Sequence, residues 1–390
     1  MKRSALIVRE YVSFLWCIAG EDMDLLELTF LGTASAVPTP TRCVSCTALR
    51  HDEGVWLFDC GECSQVQIMK SQIKSGKISK IFITHLHGDH LFGLPGLLCT
   101  MSQNNQRDEP VELYGPLGLR HYICTALCHS RSDLNFDFIV HELQPLDVQL
   151  PDNIEEWPCD NNKLSIPFHP KEKKGSLISA DENQIWQLHS DTKLSVQAVW
   201  VKHRIPSFSF VIKESAKPGK LNAELLKSKG VPPGPLYAKL KSGQCITTDQ
   251  GQIISPSDVL GQPIPGRTLV ISGDSCDSYQ LFKVAKGASV LVHEATLENS
   301  LQDQCVKNGH STPAMTASLA KQLDVKLLII THVSARYKPL SAELKDGDQS
   351  AKILVDEACE IFEDVLLAED LLVYRLPPSD QALHRNVDPT

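Results

Sequence analysis

A short apolar segment runs directly into three histidines and an aspartate, in the stretch Ile81-Phe82-Ile83-Thr84-His85-Leu86-His87-Gly88-Asp89-His90. Histidines two positions apart on an extended backbone point to the same side, and Gly88 permits the sharp turn that brings Asp89 and His90 to a second position nearby. Imidazole and carboxylate at this density suit a borderline cation such as zinc. One ion does not comfortably take all four side chains. The spacing therefore predicts two ions side by side, an arrangement that hydrolyses phosphate esters and related bonds, with a solvated histidine-rich loop as the alternative.

The composition is that of a folded protein without a general affinity for polyanions. Hydrophobic residues make up 42% of the 390 residues, which is ample for a packed core. The formal net charge of −9 argues against a protein that coats nucleic acid through overall positive charge, but leaves room for a local basic patch. No apolar segment reaches the length needed to cross a bilayer, so no membrane partner is expected. The 13 cysteines, an odd number, favour a cytoplasmic or nuclear chain with free thiols.

Apolar strands alternate with helical segments along most of the chain, which predicts a layered α/β protein. The expected strands are Leu25–Leu31, Trp56–Asp59, Ile78–Thr84, Val111–Tyr114, Phe136–Leu143, Leu194–Val201, Ser207–Lys213, Thr268–Gly273, Ser289–His293 and Lys326–His332. Residues 151–193 are polar and poorly periodic, and they predict an irregular excursion. The length allows one large domain or two ordinary ones. Residues 1–23 are expected to be an N-terminal extension, for which organelle targeting stays open, and residues 377–390 a tail.

Three further candidate ligands occur at or near strand ends elsewhere in the chain. Asp274 and His332 end two apolar strands, and His203 follows a third. Strand ends are where layered α/β folds place their binding sites. Each residue alone is as well explained as a surface or capping residue. Together with the first cluster they supply the additional donors that a two-ion site needs.

These residues resemble the metallo-β-lactamase fold hydrolases, and within them the short form of tRNase Z, the tRNA 3′-processing endoribonuclease. The resemblance runs from about Leu28 to Leu376, nearly the whole chain. Its motifs are Phe30-Leu31-Gly32-Thr33, His85-x-His87-x-Asp89-His90, Gly273-Asp274, His293-Glu294-Ala295-Thr296, His310-Ser311-Thr312 and Thr331-His332. The resemblance implies a four-layer αββα sandwich in which residues 24–376 are the catalytic domain, with a protruding basic arm.

The resemblance also implies how two zinc ions per subunit would be held. The expected ligands are His85, His87, His203 and Asp274 for one ion, and Asp89, His90, His332 and the shared Asp274 for the other. A water between the ions would act as the nucleophile, and Asp89 is the expected proton acceptor. The sequence leaves open whether zinc or manganese is the working metal.

The segment that begins at His310 has the composition of a helix start, with Ser311 and Thr312 as capping residues and a proline after them. Free amides there are expected to hold a phosphate oxygen, and His310 is expected to protonate the departing ribose oxygen. Glu294 is expected to orient His310, and Arg336 to neutralise the phosphate in the transition state. An ordinary helix cap and a plain surface arginine are the alternatives.

Residues 217–241 interrupt the alternation of strands and helices. From Lys213 to Lys241, seven lysines stand against two glutamates, and glycines and prolines flank a short helical piece, Leu221–Ser228. The segment matches the protruding arm of short-form tRNase Z. A basic projecting arm would contact RNA phosphates without reading sequence, which reconciles an acidic protein with a tRNA partner. A solvated lysine loop is the alternative.

Four cysteines have a spacing that the family pattern does not explain. Cys43-x-x-Cys46 and Cys60-x-x-Cys63 have zinc-ribbon spacing, so a third, structural metal or a redox pair stays open beside inert thiols. Asp59 and Glu62, which lie in the same turn, are expected to support the metal ligands from behind.

The leading interpretation is a zinc-dependent endoribonuclease that cuts precursor tRNA after the discriminator base. The tRNA would keep a 3′-hydroxyl and the trailer a 5′-phosphate. The alternatives are a thioester or small phosphodiester hydrolase on the same fold, and a non-catalytic tRNA-binding scaffold. The family is homodimeric, so a homodimer is expected, and DNA is not expected as a partner. Routine tRNA maturation and repair of damaged tRNA ends both stay open.

Overall fold

The computed structural model describes residues 25–104, 107–151, 153, 168–378 and 387–388. The expected N-terminal extension, residues 1–23, lies outside the described residues, as do residues 379–386 and 389–390 of the expected tail. Within the described part of the chain, every helix is too short or too polar to cross a membrane.

Strands and helices alternate as the sequence predicts. The strands are β1 (Leu26–Gly32), β2 (Cys46–His51), β3 (Gly54–Phe58), β4 (Ile78–Phe82), β5 (Val111–Pro116), β6 (Phe138–Leu143), β7 (Glu172–Lys173), β8 (Leu177–Ile178), β9 (Ile185–Ser190), β10 (Leu194–Val201), β11 (Ser207–Glu214), β12 (Ile246–Thr247), β13 (Ile253–Ile254), β14 (Thr268–Ser272), β15 (Val290–Glu294), β16 (Leu328–Thr331), β17 (Tyr337–Lys338), β18 (Gln349–Ser350), β19 (Val365–Leu367), β20 (Val373–Arg375) and β21 (Val387–Asp388). The α-helices are α1 (Ser64–Lys70), α2 (Gly88–Leu91), α3 (Leu94–Asn104), α4 (Leu119–His129), α5 (Ala223–Ser228), α6 (Pro235–Lys241), α7 (Pro256–Val259), α8 (Gln302–Lys307), α9 (Pro313–Leu323) and α10 (Lys352–Cys359). Short 3-10 turns lie at Ser75–Lys77, Asp147–Gln149, Tyr279–Lys283 and Asn299–Leu301.

Two large mixed sheets carry the fold. The first has the order β21-β20-β1-β2-β3-β4-β5-β6-β7, and β8 also pairs with β6. The second has the order β19-β16-β15-β14-β11-β10-β9. The strands from β3 to β6 are parallel, and so are β14, β15, β16 and β19. Parallel neighbours bring their carboxyl ends to the same edge of a sheet, where the connecting loops can gather side chains into one site.

Alternating side chains divide the core into three layers, because successive residues of a strand point to opposite faces of the sheet. Phe82 of the first sheet and Phe210 of the second meet between the sheets, with ring centroids 5.4 Å apart. Ile81, one position earlier, packs in a core that also holds residues of α3 and α4. Val211, one position after Phe210, packs in a core with residues of α9 and α10. The expected four-layer αββα sandwich is confirmed.

Of the irregular excursion expected over residues 151–193, residues 152 and 154–167 lie outside the described residues, and the expectation is wrong for the last part of the remainder. Strand β9 occupies Ile185–Ser190 and pairs with β10. Trp186 and Leu188 are buried while Gln187 is exposed, so this segment has the two-residue period of a half-buried strand. The acidic and polar residues around it concealed a pattern that spans only one strand.

The chain leaves the second sheet after β11 and returns at β14, and it forms a separate projecting unit between them. Reciprocal backbone hydrogen bonds between Lys217 and Ile264, both 2.9 Å, close the base of this unit. We call residues 217–264 the arm. It contains α5, α6, α7 and the small hairpin β12–β13, and its own core consists of Leu226, Val231, Leu240, Ile246, Ile254 and Val259. The sequence-derived boundaries, residues 217–241, cover the outgoing half of this unit.

Candidate metal centre

Seven histidine and aspartate side chains converge at one edge of the sandwich. His85 and His87 lie in the loop after β4, and Asp89 and His90 lie in the short helix α2 that follows it. The remaining three come from loops after β10, β14 and β16; they are His203, Asp274 and His332. These strands end at the same edge, so loops distant in sequence meet in space. The structure thus brings together the whole set that the sequence singled out.

The first cluster contains three histidines. The Nε2 atom of His85 lies 3.1 Å from Nδ1 of His87, and Nε2 of His203 lies 3.2 Å from the same Nδ1 atom. His85 is fully buried, and the other two are partly buried. Their nitrogen atoms face a common point.

The second cluster contains two histidines and two carboxylates. The Nε2 atoms of His90 and His332 are 3.3 Å apart, and Asp274 Oδ2 lies 3.4 Å and 3.2 Å from them, respectively. Asp89 Oδ2 lies 3.4 Å from His332 Nε2. The same Asp274 oxygen is 3.7 Å from Nε2 of His85 in the first cluster. Asp274 therefore stands between the two clusters.

Four of these histidines have the ring nitrogen that faces away from the centre held by an oxygen. The pairs are His90 Nδ1 with Asp59 Oδ2 (2.7 Å), His85 Nδ1 with Thr84 Oγ1 (3.0 Å), His203 Nδ1 with the Gly309 carbonyl (2.7 Å) and His332 Nδ1 with Thr296 Oγ1 (3.0 Å). An Nδ1–H that donates outward leaves the Nε2 lone pair pointing inward, which is the arrangement that metal-binding histidines use. The predicted supporting role of Asp59 agrees with this contact.

The spacing of the inward nitrogens fits zinc. Tetrahedral zinc with bonds of about 2.0–2.1 Å separates two nitrogen ligands by roughly 3.3–3.4 Å. The observed separations of 3.1, 3.2 and 3.3 Å are close to this value. Inward lone pairs at this range repel one another unless a cation lies between them. The mixture of imidazole and carboxylate is also a donor set that zinc accepts.

The charges of the centre are set by burial and by mutual contact. Burial lowers the pKa of His85 well below its ordinary value and that of His87 to about 4, so both rings are neutral and able to bind a metal. Burial acts to raise the pKa of Asp274, but His332 and His90 together hold it well below the usual range. Asp274 therefore stays ionised. Burial opposes charge on His90 as well, but the carboxylates around it raise its pKa.

Glu294 and His310 form a hydrogen-bonded pair at the edge of the centre. Glu294 is 1% exposed, and its carboxylate accepts hydrogen bonds from the backbone N–H groups of Ser275 (2.7 Å) and Ser311 (3.1 Å). His310 Nδ1 lies 3.1 Å from Glu294 Oε1 and 3.7 Å from Asp274 Oδ2. Burial lowers the pKa of His310, but Glu294 and Asp274 outweigh it and raise the pKa to about 9. A protonated imidazole is therefore held beside the metal-binding residues.

At the start of α9, two of the amides that the sequence led us to expect as free have partners within the protein. The Ser311 N–H donates to Glu294, and the Ala314 N–H donates to Asn299 Oδ1 at 2.9 Å. Pro313 has no N–H, and Thr312 is fully buried. Two amides at this helix start therefore anchor the loop, and a phosphate site there stays a prediction.

A cavity of about 320 Å³ opens over the candidate metal ligands. Besides ligands and His310, its walls include Ser35, Glu62, Phe92 and Arg204. Arg336 is exposed and does not line the cavity, unlike the other predicted site residue His310. Sequence reasoning missed Arg204, although its position directly after His203 was a usable signal.

The turn around Glu62 departs from the supporting role expected of that residue, and it bears on the alternatives left open for the four cysteines. Glu62 faces the cavity, and its Oε2 atom is buried without a hydrogen-bond partner among the described residues, so it does not support a ligand as Asp59 does. In the part of the chain that the structure describes, the neighbouring cysteines do not form a candidate metal site; they are Cys43, Cys46, Cys60 and Cys63. Among the described residues, the His/Cys/Asp/Glu groups close enough to share an ion contain no cysteine. Burial raises the pKa of Cys46 to about 12 and that of Cys60 well above its ordinary value, which makes these thiols unreactive.

Two sheets between two helical layers, with histidine and aspartate donors at strand ends, define a metallo-β-lactamase fold protein. A solved structure of this fold, YhfI from Bacillus subtilis, aligns over 90% of this chain and 100% of that chain with a TM-score of 0.53 and 14% identity, which shows the fold alone. The family model described as "Anti-Pycsar protein Apyc1" matches residues 26–132, the part from β1 to just beyond α4.

Closer relatives define the family. The human zinc phosphodiesterase ELAC protein 1 is 45% identical over 363 residues, which are 90% of this chain and 99% of that protein. Ribonuclease Z of Shouchella clausii is 39% identical over 354 residues, 90% of this chain and 97% of that protein. The crystal structure of human tRNase Z, short form, aligns over 90% of this chain and 99% of that chain with a TM-score of 0.63 and 34% identity. The chain belongs to the short-form tRNase Z family of zinc endoribonucleases, which confirms the resemblance seen in the sequence.

Proposed function

We propose that this protein removes the 3′ trailer from precursor tRNA by a zinc-dependent cut after the discriminator base. The products are a tRNA with a 3′-hydroxyl and a trailer with a 5′-phosphate. The observation that supports this most strongly is the convergence of seven donor side chains around Asp274, under a cavity and on the same chain as a basic arm. Relatives named ribonuclease Z and zinc phosphodiesterase support the same substrate and metal.

The proposed occupancy is two zinc ions per subunit. His85, His87 and His203 would hold one, Asp89, His90 and His332 the other, and Asp274 both. When bound, the cations supply Lewis-acid activation of water and of the phosphodiester. The protein contributes a fixed and largely dehydrated donor set, in which the outward hydrogen bonds determine each ring orientation.

Two side chains of this centre are placed to move protons. Asp89 Oδ2 accepts a hydrogen bond from the Ala36 N–H at 2.7 Å, which leaves its other oxygen to take the proton of the attacking water. His310, held by Glu294 through Nδ1, presents Nε2 to the cavity and protonates the departing ribose 3′-oxygen. The proton gained at one side is thus balanced by the proton given at the other.

A cation on the cavity wall would stabilise the extra negative charge of the transition state. Sequence reasoning assigned this role to Arg336, but Arg204 lines the cavity and Arg336 does not. We therefore favour Arg204. Arg204→Ala is expected to lower kcat for precursor tRNA by at least tenfold while Arg336→Ala stays within threefold; the reverse order would restore the role to Arg336.

The arm and the assembly complete the proposal. Exposed lysines on the arm, such as Lys220, Lys227, Lys239 and Lys241, would contact tRNA phosphates away from the cut. A homodimer is proposed as the working assembly. The proposed compartment is the cytoplasm or nucleus, which agrees with the free thiols of cysteines such as Cys43.

The decisive experiment is cleavage of a precursor tRNA with mapping of both product ends, together with hydrolysis of bis-p-nitrophenyl phosphate and elemental analysis. Trailer removal with the stated ends and two zinc atoms per chain is the expected result. Hydrolysis of the small ester alone would indicate a small phosphodiester hydrolase. Inactivity toward both by zinc-loaded protein would indicate a tRNA-binding scaffold. A metal content below two per active chain would reject the two-ion centre.

A further inference from the structure

An exposed aromatic ring stands at the rim of the cavity beside the metal-binding residues. Phe92 lines the cavity in the turn between α2 and α3, and it is 56% exposed. Tyr122 stacks with this ring at a centroid distance of 6.1 Å and an interplanar angle of 22°. On another side the ring lies against Gly88, where a Cβ would come within 2.2 Å of Phe92 Cε2. The ring is thus positioned by its neighbours while more than half of its surface remains open for a ligand to cover.

The same cavity contains a buried carboxylate oxygen without a partner. Glu62 Oε2 is buried and has no hydrogen-bond partner among the described residues. An unpaired acceptor of this kind is costly, and the cost is recovered when a donor arrives. The turn before it is packed closely on the metal centre, because a Cβ at Gly61 would lie 2.2 Å from the Asp89 carbonyl oxygen. Glu62 is therefore carried at a fixed place next to a proposed metal ligand.

The cavity thus combines a flat apolar surface, a hydrogen-bond acceptor and a cation. The cation is Arg204, which is exposed at the cavity wall. A nucleotide matches all three features through base stacking, an amino group and a phosphate. A lysine or arginine side chain would satisfy the ring and the carboxylate, but the charge of Arg204 opposes it.

We infer that Phe92 and Glu62 form a subsite for one nucleobase next to the scissile phosphate. Phe92 stacks on the base, and Glu62 accepts a hydrogen bond from an exocyclic amino group. This inference rests on the proposed function, because it names how that same site holds its RNA. It adds recognition of a base at the cut to the sequence-independent contacts of the arm.

The test uses full-length zinc-loaded protein and precursor tRNA in which each nucleotide flanking the cut carries adenine, purine without the amino group, or no base. For wild type, removing the base at one of the two positions is expected to lower kcat/KM by roughly 5- to 100-fold, the range of aromatic–base stacking. On the adenine substrate, Phe92→Leu should lower kcat/KM by the same factor as removal of the base does for wild type. On the abasic substrate, Phe92→Leu and wild type should have the same kcat/KM. Phe92→Tyr should restore most of the activity.

The role of Glu62 is tested by comparing the adenine and purine substrates, which differ only in the exocyclic amino group. Wild type should cleave the adenine substrate roughly 10-fold better than the purine substrate at the responding position, since a hydrogen bond to a charged group is lost. Glu62→Leu, which has no acceptor, should remove this preference, whereas Glu62→Gln should keep part of it through its amide oxygen. Hydrolysis of bis-p-nitrophenyl phosphate, measured alongside, reports whether the metal centre still forms. Phe282→Leu is the matched control, because Phe282 is also exposed, at 41%, and is outside the cavity lining.

Two results would overturn the subsite. The first is that Phe92→Leu and removal of the base lower kcat/KM independently, so that their factors multiply. The other is wild type that cleaves adenine, purine and abasic substrates equally well. Failure of wild type to cleave any precursor tRNA, while it hydrolyses the small ester, is a different outcome and rejects the proposed function itself.

Discussion

The metal centre and the arm are built in opposite ways. The centre is assembled from four separate segments, and His85, His90, Asp274 and His332 are each at most 3% exposed. The arm is one continuous stretch, residues 217–264, with a core of six residues of its own and lysines on its surface. The centre therefore depends on the packing of the whole sandwich, whereas the arm depends mainly on local contacts. Chemistry and the proposed tRNA docking should be separable by mutation.

The largest expected effect comes from Asp274→Ala. Because Asp274 Oδ2 stands between both clusters, its loss should lower turnover of precursor tRNA and of bis-p-nitrophenyl phosphate on the order of 10³-fold or more, and should reduce the zinc content. Kinetics with both substrates and elemental analysis measure this. Asp277→Ala, an exposed acid three residues away, is the control. Activity near that of wild type would show that Asp274 does not join the two clusters.

His310→Ala should lower the activity on the two substrates to different extents. Loss of the proton donor should lower kcat for precursor tRNA by about 10²- to 10⁴-fold. Bis-p-nitrophenyl phosphate has a good leaving group and should lose much less. The salt dependence of tRNA cleavage should be unchanged, because no phosphate contact is removed. Equal losses on both substrates would mean that His310 supports the centre structurally.

Replacing the arm by a short Gly-Ser connection should lower cleavage of precursor tRNA and leave hydrolysis of the small ester nearly unchanged. The backbone pairing of Lys217 with Ile264 shows that the two ends are adjacent, so the sheet order can be kept. We expect kcat/KM for precursor tRNA to fall roughly 10- to 10³-fold through lost phosphate contacts, with small-ester hydrolysis within threefold of wild type. Parallel loss of both activities would show that the arm is needed for the centre to form.

Charge neutralisation on the folded arm should give a graded version of this result. In Lys227→Gln/Lys239→Gln/Lys241→Gln, all three exposed lysines lose their charge. Each lysine that contacts a phosphate contributes roughly 0.7–0.9 to the slope of log affinity against log salt. Binding measured over a salt series should therefore show a shallower slope, by up to about 2–3. The same substitutions at Lys74, Lys286 and Lys326, elsewhere in the chain, provide the control; an equal change there would mean general charge rather than docking.

The smallest effect concerns the pH dependence of stability at the base of the arm. Glu214 is paired with the buried Arg267, whose Nη2 lies 2.9 Å from Glu214 Oε1. Burial acts to raise the pKa of Glu214, but the bonds from Arg267 lower it below its ordinary value. The pair therefore stabilises the fold above the unfolded glutamate pKa of about 4.3, and this contribution is lost as the pH falls toward the folded value.

Glu214→Gln should accordingly lower Tm at neutral pH, and the gap from wild type should narrow as the solution is made more acidic than about pH 4.3. Thermal unfolding at several pH values measures the gap. A gap that is constant with pH would show that the charge of Glu214 contributes nothing.

The sequence revealed the centre because its signals are local. The stretch from His85 to His90 is contiguous, and Asp274 and His332 directly follow apolar strands that any reader of periodicity would find. The layered α/β class followed from the alternation of strands and helices, whereas the four-layer sandwich came from the family resemblance. Which rings share an ion is a long-range property, as in the contact of His90 with His332, and it came only through family resemblance and geometry.

The residues that sequence analysis missed lie near the ends of helices. Phe92 was not singled out in the sequence; α3 begins at Leu94 and leaves Phe92 in a turn that lines the cavity. The second helix of the arm, Pro235–Lys241, was hidden among glycines and prolines, although a proline at the first helical position is a common start. Such boundaries are decided by tertiary packing, which one sequence does not display.

The closed base of the arm has a consequence for how such enzymes diversify. Because the chain departs and returns through two facing residues, Lys217 and Ile264, this segment is a detachable loop on an uninterrupted scaffold. On the expected result of the arm replacement, its length and surface are free to change during evolution while the donor atoms of the metal centre stay in place. One ancestral hydrolase could thus acquire new polymeric substrates by lengthening a single connection.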